Sequence, residues 1–345
     1  MRGRARGAAV AAAAIAAIAT ACGASATAAI SDTVGELHFA MATTVWIAAR
    51  GDSESATRAA VRSAFAEVRR LEDIVSTFDA ASDASRVNRS AGGDAVAVAA
   101  ELADLLATSQ RLTRATDGAF SILVGPLLDV WRAAEEAGGA PEESALAHAR
   151  TLADPDLLAI SGARVALLRP GMRIDLGGVA KGFAADRALA VLRAAGVRAA
   201  IVNLGGSSIA AFGDAGDRLR GWPVELPGAS LAVFRLRDAA LSTSSARGRS
   251  LAGEGSRPGH IVDPTTGRLL ERAAVAVVLH RSATDAEALS KALLLRASEA
   301  GPILAAAGAD GVLLRPDEIP ACSEAFRSAL ADCTVLPPAG AAARS

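Results

Sequence analysis

Tyrosine is absent from this chain and aromatic residues make up only 3% of it, so the stacking platforms that usually hold single-stranded nucleic acid are missing. Neither sign of charge is in excess, with 36 Lys and Arg against 37 Asp and Glu. Without a concentration of Lys and Arg, nucleic acid is not an expected partner. HExxH, C-x-x-C and G-x-S-x-G are all lacking, which argues against zinc and serine hydrolases. A P-loop spacing and a G-x-G-x-x-G fingerprint are missing too. With no fixed-period repeat and no composition break of the kind that marks a flexible linker, the 345 residues read as one interleaved α/β body rather than two beads.

Cysteine is scarce, with only Cys22, Cys322 and Cys333. Cys22 ends a stretch, MRGRARGAAVAAAAIAAIATAC, that opens with Arg2, Arg4 and Arg6. The apolar run that follows is roughly 14 residues, short of the ~20 that span a bilayer, so it reads as a secretory signal. The small residues Ala19, Thr20 and Ala21 directly before Cys22 match a site where a bacterial lipoprotein is cleaved and its new N-terminal Cys acylated. The expectation is a lipoprotein-type signal over 1–22 and a tether over 23–36, on a protein exported to the periplasm or cell envelope and held at the membrane through Cys22. Plain secretion with cleavage between Ala21 and Ala28 is the alternative. Cys322 and Cys333 form an even pair suited to an oxidising compartment. A continuous helix over SEAFRSALAD would hold their sulfurs ~16 Å apart. Their bridge stays open.

Half of the residues are hydrophobic, enough for a substantial core. TTVWIAAR, 43–50, reads as a strand. A long helix capped at Ser53 or Ser55 follows, with Val61, Ala64, Phe65, Val68, Leu71, Ile74 and Val75 at helical spacing. STFDAASDAS is a loop by composition. A second helix covers about 97–116 and stops at Asp117-Gly118, and a third begins near Pro126. Strands then dominate: ARVALLR, GMRIDLG, RAAIVNLGG, SLAVFRLR, AALSTS, HIVD and AAVAVVLH.

Within 171–206 the order reads strand, Gly turn, helix, stop at Gly196, strand, Gly turn. Gly177 and Gly178 would let a ligand approach the backbone where a helix begins, and Lys181 adds a charge there. A phosphate suits such a place. The same pattern also serves a purely structural βαβ unit. HIVDPTTG, 260–267, sets His260 before an Asp-Pro turn, which in isolation is an incidental His. In DAEALSKALLL, 285–295, Glu287 and Lys291 sit four apart on one helix face, the spacing of a surface salt bridge.

Taken in order, MATTVW, STFDAASDASRVN, DGAFSILVGPLLDVW, IDLGGVAKGFAADRA, VNLGGS, STSS, HIVDPTTG and AEALSKAL make the chain resemble the ApbE family of FAD:protein FMN transferases from about Met41 to Gly311. The resemblance implies an α+β fold over 37–320, with helices packed on mixed or antiparallel sheets, an FAD cleft between them and a C-terminal extension over 321–345. It implies FAD as substrate, its FMN half moving through a phosphoester onto a Ser or Thr of an exported target protein with release of AMP. Met41 and Phe78 would line the flavin and nucleotide region, with Phe78 where the family often has Tyr. Ala119, Phe120 and Ser121 would form another wall, and Gly205 and Gly206 a further turn against FAD. Asp175 and Lys181 would contact FAD, and His260 would be the candidate base near the acceptor hydroxyl.

The same resemblance implies Mg²⁺, held through the carbonyl of Gly178 and two positions of the AEALSKA helix. Here the chain departs from the family. Glu287 takes an Asp position, Lys291 a Thr position, Ser121 and Ser207 stand where Asp is expected, and Gly259 replaces the first of two His. Lys has no lone pair for a cation. Three readings of the helix stand open: Lys291 replaces the metal with Glu287 holding it, or Mg²⁺ persists on Glu287, Ser290 and Gly178, or the site is dead and the pair is a salt bridge. The alternatives to transfer are accordingly an inactive FAD-binding lipoprotein, an FAD pyrophosphatase and a surface protein that binds no flavin.

Overall fold

The structure is a computed structural model that describes residues 33–216, 220–225, 234–246, 261–270, 273–315, 321–323, 326 and 334–335. The chain enters with β1 (Thr33–Ala40) and β2 (Thr43–Arg50), which pair with Ala40 opposite Thr43. Only Met41 and Ala42 make the turn, at φ 51° and 55°. That is the twist a two-residue hairpin demands, adopted here without glycine at a cost of about 1–3 kcal/mol per residue. The Met41 N–H is tied down by Glu72 Oε1 at 2.7 Å.

Glu72 belongs to α1 (Glu54–Val75), which Ser53 caps by accepting from the Ala56 N–H. Its apolar stripe is buried as its period requires. There follow α2 (Asp83–Arg89), β3 (Val96–Ala97), α3 (Ala100–Ala115), α4 (Gly125–Glu136), α5 (Glu143–Thr151), β4 (Leu158–Ser161) and β5 (Arg164–Leu167). The second half contains α6 (Ala180–Ala194), β6 (Ala199–Leu204), β7 (Ser208–Phe212), β8 (Trp222–Val224), β9 (Phe234–Leu236), β10 (Ala239–Ser245) and β11 (Val275–His280). It ends with α7 (Ala283–Arg296), α8 (Ala300–Ala307), β12 (Asp310–Leu314), β13 (Ala321–Cys322) and β14 (Thr334–Val335).

Nine strands form one sheet in the order β1-β2-β6-β7-β10-β11-β12-β13-β14. Every neighbouring pair in it is antiparallel except β13 with β14. Helices α1 and α6 cover one face over β1, β2, β6 and β7, and α7 and α8 continue that cover over β11 and β12. The other face is closed by Trp222, Val224 and Leu236 of the β8–β9 ribbon and by Phe326. Strand β6 is therefore buried on both sides, with Ala200, Val202 and Leu204 under the helices and Ala199 and Ile201 opposite. Its sequence is continuously apolar for that reason. A second core gathers α2, α3, the β3-β5-β4 sheet and the segments around Phe120 and Leu176. This is the α+β layering expected, helices packed on mixed and antiparallel sheets.

Three expectations change. GMRIDLG joins no sheet among the described residues, because the Ile174 and Asp175 N–H groups are taken by Asn88 Oδ1 and the Ile122 carbonyl. The 171–206 region is thus a loop, a helix and a strand. Thr33–Glu36, read as tether, already pairs in β1, and the described part of the C-terminal extension adds β13 and β14 to the main sheet. Cys322 is disulfide-bonded. Cys22, Cys333 and the whole signal segment lie outside the described residues, among which no helix is long and apolar enough to cross a membrane.

Candidate functional site

Helix α6 begins without a side-chain cap at Val179, which leaves first-turn N–H groups to find other partners. Gly182 supplies one. Its N–H donates to Glu287 Oε2 of α7 at 2.7 Å, while Lys181 Nζ stands 3.1 Å from Glu287 Oε1. A carboxylate reaches this depth because the two helices nearly touch: a Cβ on Gly182 would collide with the Ala283 carbonyl. The start of α7 is held from α6 as well. Asp186 accepts from Ser282 Oγ, the Ala283 and Thr284 N–H groups and Thr284 Oγ1, at 2.7 to 2.9 Å.

Glu287 is 2% exposed. Burial works to raise its pKa, but the Lys181 and Lys291 ammonium groups and the Gly182 N–H outweigh burial and hold it below the usual glutamate range. Lys291 does not pair with this carboxylate. Its Nζ donates instead to the Glu287 main-chain carbonyl at 3.0 Å, and its stem crosses Gly178, with Cε 3.0 Å from where a Cβ there would stand. Burial pushes the Lys291 ammonium down to about 8, with Glu287 opposing the shift and Lys181 adding to it.

Lys181, Glu287 and Lys291 sit in the wall of a cleft of about 1250 Å³, larger than the usual drug-sized pocket. The same cleft is lined by Met41, Phe78, Ala119, Phe120, Ser121, Asp175, Gly178, Gly205 and Gly206. Four turns bring them together. The strained β1–β2 hairpin contributes Met41, and the turn after α1 contributes Phe78, whose N–H rests on Ser76 Oγ. Phe78 is 95% exposed, so its ring lies open to solvent along the cleft. Asp175 Oδ1 accepts from the Gly177 N–H at 2.9 Å and fixes the Gly177–Gly178 turn. Gly205 and Gly206, at φ 65° and 70°, link β6 to β7, with the Gly206 N–H on Asn203 Oδ1.

Of the expected residues Ser121 lies in the lining and Ser290 outside it. The Ser121 hydroxyl accepts from the Leu123 N–H. Ser290 is fully buried outside the cleft lining, its hydroxyl 2.7 Å from Ser244 Oγ and donating to the Glu287 carbonyl. His260 lies outside the described residues. The cleft also contains Thr77, Ser207 and Thr243, beyond the expected lining. Among the described residues Thr243 Oγ1 is buried with no hydrogen-bond partner. Thr243 belongs to the STSS motif, which pairs as part of β10.

As arranged, Gly178, Glu287 and Ser290 do not suit a divalent cation. Mg²⁺ needs free lone pairs in near-octahedral array. Each Glu287 oxygen already accepts one donor, the Lys181 and Lys291 ammonium groups beside it would repel a cation, Ser290 is turned toward β10, and a lysine stem lies against Gly178. Among the described residues no three His, Cys, Asp or Glu side chains gather into a metal-holding group.

The model of the ApbE family matches residues 41–313. Among curated relatives, an FAD:protein FMN transferase of Vibrio cholerae is 28% identical over 260 residues, 71% of this chain and 75% of that protein. One from Treponema pallidum is 30% identical over 284 residues, covering 75% and 78%. The flavinyl transferase ApbE of Pseudomonas stutzeri superposes with a TM-score of 0.74 at 22% identity, over 87% of this chain and 98% of its own. The flavin transferase ApbE of Vibrio cholerae does so at 0.71 and 24%, over 87% and 99%. These two likenesses establish the fold.

Proposed function

The chain belongs to the ApbE family, and from that premise we propose that it is an FAD:protein FMN transferase, moving the FMN half of FAD onto a Ser or Thr of an exported protein and releasing AMP. The observation that carries this reading is the convergence of Met41, Phe78, Phe120, Asp175, Lys181 and Gly205, far apart in sequence, on one cleft with room for a dinucleotide.

The chemistry asks mainly for position and charge. The acceptor oxygen bonds to the phosphorus of the FMN half, the P–O bond bridging to the AMP half breaks, and AMP leaves with the bridging oxygen. The hydroxyl proton passes to a base, the role we assign to His260. Phe78 and Met41 stack against the flavin or adenine rings at the cleft mouth, and Ala119 and Phe120 close the opposite wall. The Gly177–Gly178 turn, free of Cβ atoms, admits the pyrophosphate, and Lys181 offsets its charge from the first turn of α6. Asp175 holds that turn in shape through Gly177. Export through residues 1–22 and a lipid on Cys22 would place the cleft where exported acceptors fold.

Incubating the purified protein with FAD and an acceptor domain tests the proposal by intact mass and by chromatography of released AMP. Expected is one FMN added per acceptor with equimolar AMP. AMP without a mass gain identifies a pyrophosphatase, FAD binding without AMP identifies a binding protein, and either result overturns the transferase reading.

A further inference from the structure

On the footing that FAD is the ligand of the cleft, we infer that the Lys291 ammonium takes over the part of a divalent cation as counter-ion to the pyrophosphate, so that this chain binds FAD without Mg²⁺. The position is built for a fixed lysine. Its stem lies across Gly178, where even a methyl group would be crowded, and its Nζ is anchored by one hydrogen bond, to the Glu287 carbonyl. An ammonium has three donors, so two more directions are available to phosphate oxygens in the cleft that Lys291 lines.

The neighbouring charges are arranged to leave that cation in service. Glu287, the nearest acid on the same helix, is committed to Lys181 and to the Gly182 N–H. Asp175 lines the same turn but accepts from the Gly177 N–H. A metal ion on Glu287 would stand against the Lys181 and Lys291 ammonium groups, and Ser290 lies outside the cleft lining, bonded to Ser244 and to the Glu287 carbonyl. Replacing a divalent ion by a covalently attached ammonium removes any need for dissolved metal, and it places the charge at a fixed point beside the turn that admits the phosphates.

Isothermal titration with FAD, run on the native chain in Mg²⁺ and again in EDTA, tests this without relying on turnover, and Mg²⁺ is titrated alone into the FAD-free protein. Expected are affinities for FAD that agree within about twofold in the two buffers, no saturable Mg²⁺ binding, and a loss of about tenfold or more in both buffers for K291M, the scale of one charge-assisted hydrogen bond. Affinity that falls tenfold in EDTA and returns with Mg²⁺ overturns the inference and leaves the transferase reading intact. So does K291M binding FAD as tightly as the native chain while its circular dichroism shows it folded. If K291M does not fold, the two-buffer comparison on the native chain decides. No binding of FAD in either buffer overturns the proposed function, and this inference with it.

Discussion

Replacing Lys181 with Met should cost this protein far more stability than an ion pair at the surface would. Lys181 Nζ and Glu287 Oε1 are 3.1 Å apart, with the lysine side chain a quarter exposed and the glutamate side chain 3% exposed. At an effective dielectric of about 20 the attraction at that distance is about 5 kcal/mol. Part of it is offset by the hydration that Lys181 gives up when the native chain folds, a cost the variant does not carry, and part of the loss is cushioned by the Gly182 N–H, which stays on Glu287 Oε2. We expect a net loss of about 2–4 kcal/mol at pH 7, within the range for leaving a buried charge short of its partner. Acid should shrink the penalty. In the native chain the Glu287 pKa is held below the ordinary 4.5, so its contribution is present above that value and fades as pH falls through the lower one. Without Lys181 burial meets less opposition and the carboxyl protonates earlier, relieving the variant first. Urea unfolding of K181M, E287Q and the double variant at pH 7 and near pH 4 gives the coupling directly. The argument is refuted if K181M loses under about 0.5 kcal/mol, or if a K291M/E287Q cycle shows the larger coupling.

Three further outcomes follow from the same geometry. Phe78→Ala should leave the unfolding midpoint nearly unchanged, since the ring is 95% exposed, yet weaken FAD binding about tenfold in a fluorescence titration by removing a stacking face. Asp186→Ala should cost about 2–3 kcal/mol in urea unfolding, because the buried start of α7 loses the acceptor of the Ala283 and Thr284 N–H groups. In the FAD-free protein, Lys291 binds its proton less tightly when folded, at about 8 against an ordinary 10.5, so stability should rise as pH climbs between those values. Denaturant midpoints of K291M across the same window should climb less, and the absence of tyrosine removes another alkaline titration from both curves.

Much of the fold was legible because its elements announce themselves locally. The stripe from Val61 to Val75 specified α1 and its buried face, and Ser53 marked its start. GMRIDLG misled because a β-rich composition says nothing about whether a neighbouring strand exists. Its N–H groups are instead claimed by Asn88 of α2 and by Ile122 in the segment after α3. Strand β1 was read partly as tether because Thr33 to Glu36 carry few apolar side chains, and only pairing with β2 stabilises them as strand. Asp186, a lone acid in a helix, gave no sign that it would cap another helix.

Composition and motifs set which chemistries are open to the chain: no zinc or serine hydrolase motif, two glycines ahead of Lys181, and, where the family resemblance implies a metal ligand, a lysine without a lone pair. Which charges meet depends on how the helices pack. Helical spacing puts Lys291 on the same face as Glu287 and makes it the obvious partner, but spacing describes one helix. The close approach of α6 and α7, permitted by the bare Cα of Gly182, brings a helix start and the Lys181 ammonium to the carboxylate. A buried carboxylate is stabilised by those two donors together, and that leaves Lys291 to extend over Gly178 into the cleft.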